Sequence, residues 1–452
     1  MKKQDEKSYQ FFGILLVVIA VIGIVFTSGG TFKMPTISQQ SIEPSMKILV
    51  DENATGPIDV IIFLNPPGAG IQTQDLFIQD IETMGGTVSG SISSLDNAVF
   101  AMLDASKLET LAMNPTVGQI IPNRNVWFAP QETGTVGTQS ADNRYDFLNV
   151  RQLWSQGYTG KGVTVAVVDT GINSGLSIFQ RDGKSIITDR FSTYGAEYTY
   201  WHGTAVASCI ASQDASVKGI AYDVNLLNVC VFSGTSATMK DVMRGWDYVK
   251  SWKLSHKSTP LICVNSIGAD PRITPDALRL NAYASQLVAN DITMVVASGN
   301  GGPGVVFCPG ASKDVLTVGA VDFNGNLASF SCYDNSKPDV VAPGVDVPMF
   351  DSSGMRVTKS GTSFSTPLTA GVAALILQEN PGYSAYQVQQ AIKLGARDKQ
   401  GAGYGAGYVD AQGATNQIAT IPPAQSYDTL LPILAIVGIA IVAIPMLKKR
   451  KK

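Results

Sequence analysis

Apolar residues follow three patterns along this chain, and each predicts a different kind of element. The first pattern is an unbroken apolar run. Phe11 to Phe26 is apolar for about 16 residues, or ~24 Å as a helix, behind a polar start carrying Lys2, Lys3 and Lys7. Leu430 to Leu447 is apolar for about 18 residues, long enough to span a bilayer, and Lys448-Lys-Arg-Lys-Lys452 follows it directly. Residues 1–30 therefore read as a signal peptide or a signal-anchor helix, with cleavage left open because no A-x-A site follows the run. Residues 429–447 read as a transmembrane helix with a basic tail over 448–452. The positive-inside rule keeps that tail cytoplasmic and puts everything between the two runs on the outer face.

The second pattern occupies residues 57–129, after a polar linker over 31–56. Strand-like Ile58 to Leu64 is followed by an amphipathic helix from Asp75 to Met84, closed by Gly85-Gly86. Strands are expected over Thr87 to Ser91, Asn97 to Leu103 and Val117 to Ile121, with a short helix over Ser106 to Met113. The order β-α-β-β-α-β predicts a small α+β domain of the ferredoxin-like kind. Residues 130–145, rich in Gly and Thr, read as a linker of the sort where chains are cut.

In the third pattern, over 146–418, strands apolar on both faces alternate with helices. The strands are Val163 to Val168, Val224 to Val231, Leu261 to Val264, Thr293 to Ala297 and Val315 to Val318. Helices are expected from His202, over Met239 to Lys250, over Pro275 to Asn290 and after Ser363. This alternation predicts an α/β fold, a parallel β-sheet sandwiched by helices, with the active site at the carboxyl ends of the strands. Residues 419–428 form a polar spacer before the terminal helix.

Composition narrows the function. Of 452 residues 45% are hydrophobic and 15% charged, enough to bury a large core, and the net charge of -3 provides no basic footprint for nucleic acid. The five cysteines form no C-x-x-C pair and there are only two histidines, which argues against a structural zinc site. Cys209, Cys230 and Cys263 lie in apolar runs and are expected to be core residues; Cys308 and Cys332 flank loops and could pair in an oxidising compartment.

The candidate chemistry sits at element ends. Asp169 follows a parallel strand, His202 opens a small-residue helix, and Ser363 lies where the polar loop Lys359 to Gly361 runs into a helix apolar on nearly all sides. A serine nucleophile needs an imidazole to take its proton and a carboxylate to orient that imidazole, and these three residues supply the parts. Thr293-Met-Val-Val-Ala-Ser-Gly-Asn300 ends in a turn that could aim the Asn300 amide at an oxyanion, beside the Ser363 N–H. Thr362 is expected as the N-cap and Ser363 at the first helical position. Pro367, one turn on, has no N–H, so the Ser363 carbonyl is expected to lack its usual helical partner, with local strain held by the buried helix. His256, in a Lys-rich stretch, reads as structural. Asp169-Thr-Gly171 could also suit an aspartic protease, but the second loop this needs has only a poor copy in Asp351-Ser-Ser-Gly354.

Four blocks, Val167-Val-Asp-Thr-Gly-Ile172, His202-Gly-Thr-Ala-Val-Ala207, Ala297-Ser-Gly-Asn300 and Gly361-Thr-Ser-Phe-Ser-Thr-Pro367, resemble in order and spacing the signatures of the subtilisin-like serine proteases. The resemblance implies a serine endopeptidase with Asp169, His202 and Ser363 as triad and Asn300 as oxyanion residue. It implies that Ser266-Ile-Gly268 binds an extended polypeptide substrate, chiefly through Ser266 and Gly268. It also implies that residues 57–129 are an inhibitory propeptide, so that the chain is a membrane-tethered zymogen acting outside the cytoplasm. No cofactor is expected to be required and no metal ligands are assigned; structural calcium is frequent in such proteins, yet no carboxylate-rich loop here has ligand spacing. The alternative is a non-catalytic surface binding protein on the same scaffold, disfavoured because all four catalytic positions are filled. Trp201, Ala205 and Ser208 depart from the commoner choices, as do the loops from Gly171 to Tyr200; Trp201 is expected to shape the cleft.

Overall fold

Four strands open the described part of the chain: β1 (Pro57–Leu64), β2 (Thr87–Ile92), β3 (Ala98–Asp104) and β4 (Val117–Pro122), with helices α1 (Ile71–Thr83) and α2 (Leu108–Ala112) between them. They pair antiparallel in the order β2-β3-β1-β4, the arrangement that the β-α-β-β-α-β pattern predicts. These coordinates are a computed structural model describing residues 54–65, 71–94, 97–128, 143–417 and 420–422. The expected terminal helices, the linker 31–53 and nearly all of the linker 130–145 lie outside the described residues, among which no helix is long and apolar enough to cross a membrane.

The period of two assigns each face of the small sheet. Val60, Ile62, Leu64, Val99, Ala101 and Leu103 pack with Phe77, Ile81, Leu108 and Leu111 of its own helices. The alternate residues join a core that belongs to the second sheet, described next.

That second sheet has seven parallel strands: β6 (Thr164–Asp169), β7 (Ile187–Ser192), β8 (Asn225–Cys230), β9 (Leu261–Asn265), β11 (Ile292–Ala297), β12 (Leu316–Val321) and β13 (Val340–Pro343). Their order is β13-β12-β11-β9-β6-β8-β7. Two short strands, β5 (Asn125–Phe128) and β10 (Ile267–Gly268), stand outside it. Val165 and Val167 face helices α3 (His202–Ala211) and α6 (Thr362–Glu379), while Ala166 and Val168 face α4 (Met239–Ser255) and α5 (Leu278–Ala289). The sheet is therefore covered by helices on both sides, which is why its central strands read as continuous apolar runs.

The outward face of the small sheet rests on this second helical layer, with Ile61, Phe63, Ile92, Ala98, Phe100 and Ile121 in one cluster with Leu280, Tyr283 and Trp246. Phe63 lies 6.1 Å from the Tyr283 ring. Burying one Phe or Ile side chain stabilises by roughly 1.5–3 kcal/mol. A part-exposed pair such as Lys240–Asp59, at 3.3 Å, contributes about 0–1 kcal/mol. Apolar packing therefore carries the docking, and polar contacts such as Lys240 N–H to Asn123 Oδ1, 3.0 Å, set its register.

Several expectations need correction. A helix at Arg144–Phe147 with Arg144 and Tyr145 buried starts the larger domain before residue 146. At its other end Ile421 is buried in the core, so the domain runs past 418 into the segment expected as spacer. The polar edge strand β7 and a helix at Ala385–Leu394 were not foreseen.

All five cysteines are free and buried, so Cys308 and Cys332 are not joined. Burial pushes the Cys263 and Cys308 thiols up to about 12 and Cys332 up to about 11, which leaves almost no thiolate at neutral pH. A colorimetric thiol titration at pH 8 is therefore expected to find essentially none in the native protein and five per chain in denaturant without reductant; three would mean that the pair forms after all.

Candidate active site

Asp169 ends β6 and is fully buried; His202 begins α3 and is nearly so. His202 Nδ1 lies 2.8 Å from Asp169 Oδ1 and 3.0 Å from Oδ2. Thr170 secures the pair from both sides. Its N–H donates to Asp169 Oδ1 at 2.7 Å, and its hydroxyl accepts the Gly203 N–H, one of the unpaired donors at the start of α3, at 2.8 Å. Sequence reasoning missed this role, although a Thr directly after the strand-end Asp was the available signal.

Two glycines let the Asp169 and His202 segments touch. Gly171 has φ +89°, and a Cβ there would meet Glu197 O at 2.3 Å; a Cβ on Gly203 would lie 2.4 Å from Gly171 O. Only bare backbone fits between these segments. The divergent loop beyond Gly171 is tied down by Asn228 Nδ2 to Glu197 O, 2.9 Å, Thr199 Oγ1 to Phe232 O, 2.6 Å, and Tyr194 Oη to Asp241 Oδ2, 2.8 Å. Trp201 is half-buried edge-on to the His202 imidazole, ring centroids 5.6 Å apart, and stacks against Phe364 at 6.5 Å with Lys359 Nζ over its face at 4.9 Å. It walls the imidazole.

Ser363 stands at the start of α6, which packs against α3. The N-cap is Gly361 rather than Thr362, so Ser363 is the second helical residue, one position further in than expected. Its N–H still lies among the first-turn donors that have no carbonyl in a preceding turn. Asn300 Oδ1 takes the place the Thr362 side chain was expected to fill, accepting from Thr362 N–H at 2.9 Å and from its hydroxyl at 2.7 Å. Held by its oxygen, the Asn300 amide presents Nδ2 as a donor on its other side.

Ser266 joins β9 to β10. Its carbonyl accepts the Ser363 hydroxyl at 3.2 Å, and its own hydroxyl donates to the Ser363 carbonyl at 2.8 Å. The Ser363 carbonyl lacks its helical partner, as Pro367 predicts, and takes the Ser266 hydroxyl in its place. No local pattern signals a bond between residues 97 apart. The backbone of Ile267–Gly268 pairs antiparallel with β5, Ile267 opposite Phe128 and Gly268 opposite Trp127, and the other side of β5 pairs with Ala237–Thr238. An extended strand from the small domain thus already lies where a polypeptide was expected to bind, and Val126 on it is fully buried. His256 sits at the C-terminal end of α4, stacked on Trp252 with centroids 4.0 Å apart, in a structural role.

The sequence model of the subtilase family matches residues 160–410, more than half of the chain and a span containing Asp169, His202, Ser266, Asn300 and Ser363. The chain belongs to the subtilase family. As a subtilase it is a subtilisin-like serine endopeptidase whose substrates are polypeptides. M-protease of Shouchella clausii (strain KSM-K16) is 31% identical over 317 residues, covering 69% of this chain and 78% of that protein. Serine protease AprX of Bacillus subtilis (strain 168) is 34% identical over 307 residues, 57% of this chain and 67% of that protein. Subtilisin Savinase of Lederbergia lenta is 33% identical over 265 residues, 58% and 93% respectively. A non-catalytic binding scaffold is accordingly set aside for this subtilase.

Proposed function

We propose that Ser363, His202 and Asp169 act as nucleophile, general base and orienting carboxylate of this endopeptidase, with Asn300 Nδ2 and the Ser363 N–H as oxyanion donors. We further propose that the chain is made as a membrane-tethered zymogen whose residues 57–129 fill the substrate cleft. The observation that carries this reading is the pairing of Asn125–Phe128 with Ile267–Gly268, leading toward the Ser266 carbonyl that the Ser363 hydroxyl touches. A peptide lying in the same register, held by Gly268 and Ser266, delivers its next carbonyl to Ser363.

The chemistry follows from the positions. The Ser363 hydroxyl turns from Ser266 O, its proton passes to His202 Nε2, and Oγ bonds to the scissile carbon. Asp169 keeps the imidazole in the tautomer that leaves Nε2 able to accept, and stabilises the cation that forms. The carbonyl oxygen becomes an oxyanion facing Asn300 Nδ2 and the Ser363 N–H. Collapse breaks the C–N bond as His202 returns the proton to the departing amine, and water then hydrolyses the acyl-enzyme by the same route. No metal or organic cofactor enters this scheme.

In the proposed topology the basic tail is cytoplasmic and the catalytic domain is on the extracytoplasmic face, near its polypeptide substrates. N-terminal sequencing of the mature form in carbonate-washed membranes tests this. The expected cut lies between Phe128 and Ser140, with the fragment retained in the membrane pellet. A start before Pro57, or recovery in the carbonate-soluble fraction, contradicts it.

A further inference from the structure

In an α-helix each carbonyl accepts from the N–H four residues on. For Ser363 that residue is Pro367, inside α6, which has no N–H. Ser363 is buried, so water does not replace the missing donor, and folded chains rarely leave such a carbonyl empty. The donor comes from outside the helix: the Ser266 hydroxyl, itself fully buried, at 2.8 Å. The return bond from Ser363 Oγ to Ser266 O, 3.2 Å, makes the contact reciprocal. Neighbouring carbonyls of the turn keep hydroxyls from within the helix, Thr366 Oγ1 to Thr362 O at 2.7 Å and Thr369 Oγ1 to Ser365 O at 2.9 Å. Among the described residues, only the Ser363 carbonyl of this turn is handed to another element, the segment that continues into the strand paired with Asn125–Phe128.

We propose that Ser266 is a positioning residue for the nucleophile: its hydroxyl replaces the N–H that Pro367 lacks and locks the Ser363 peptide plane to the substrate-binding strand. Proline at 367 leaves that carbonyl open to the strand, and either donor, the Ser266 hydroxyl or a helical N–H, can hold it in place. This inference rests on Ser363 being the nucleophile and adds a role for the Ser266 side chain, distinct from the backbone of Ser266 and Gly268 that meets the peptide.

The test is a double-mutant cycle on the full chain, read as kcat and KM on a peptide substrate and as the rate of fluorophosphonate labelling. Ser266→Ala is expected to lower kcat by roughly 10- to 100-fold, the scale of a small misplacement of reacting groups, with KM nearly unchanged because the strand backbone remains. Ser266→Thr keeps a hydroxyl and retains most of kcat. In the Ser266→Ala background, Pro367→Ala returns an N–H four residues from Ser363 and should recover most of the lost kcat, whereas Pro367→Ala alone has little effect. If Ser266→Ala does not mature or fold, the double variant decides: recovery of folded, labelled protein supports the proposal, and its absence overturns it. An unchanged kcat in Ser266→Ala, or a loss that Pro367→Ala does not repair, also overturns it. If Ser363→Ala still labels, it is the underlying assignment of the nucleophile that has failed.

Discussion

Ser363→Ala is expected to lower kcat by roughly 10⁶-fold, a size established for loss of the nucleophile in this same family rather than deduced from these distances. The substitution removes one oxygen at the start of α6 and leaves in place the Ser266 hydroxyl that holds the residue's carbonyl. Folding should therefore survive, which separates loss of chemistry from loss of structure. A fluorophosphonate probe should label the wild-type protein once per chain and the variant not at all. The variant should also retain residues 57–129 and migrate as the longer species. Persistent labelling or peptidase activity would show that another residue is the nucleophile.

Asp169→Asn should follow with a loss of roughly 10⁴-fold in kcat at neutral pH. The Asn oxygen can keep the Thr170 N–H, now 2.7 Å from Oδ1. Its NH₂ group then faces His202 Nδ1, where a carboxylate oxygen lies 3.0 Å away in the native protein. A donor there forces Nδ1 to accept and puts the imidazole proton on Nε2, the atom that must take the Ser363 proton. KM should change little, since in the proposed reading the peptide is held by Ile267–Gly268, away from this pair. Steady-state kinetics on a peptide substrate check both parts, and a variant within tenfold of wild-type kcat would remove Asp169 from the mechanism.

Much of this was legible in one dimension because the signals are local. Asp169 is the residue where an apolar strand stops, and His202 is the first residue of a helix of small side chains. The small domain was readable because its faces alternate between two separate cores, so Ile61 and Phe63 carry as strong a pattern as Val60 and Ile62. Contacts across long loops were not legible. Asn300 displaced Thr362 from the expected capping role only because the turn after β11 reaches the start of α6. The missing helical donor at Ser363 was legible from Pro367, but not that the Ser266 hydroxyl, 97 residues away, supplies the replacement. Strand β7 escaped notice because it pairs on one edge and exposes Asp189 and Arg190, leaving it no apolar run. Ile421 lay in a polar stretch, and only the core shows where it belongs.

The order of the elements has a consequence for how the protein is made. Asp169 and His202 leave the ribosome well before α6, which carries Ser363 and covers one face of the sheet beside α3. With the proposed roles, a nascent chain holds the acid and the base but not the nucleophile, and an uncovered apolar sheet, until synthesis has passed Glu379. On the proposed reading, translation itself delays the hazard: the blade is fitted last, after β5, the strand paired with Ile267–Gly268, has already been made.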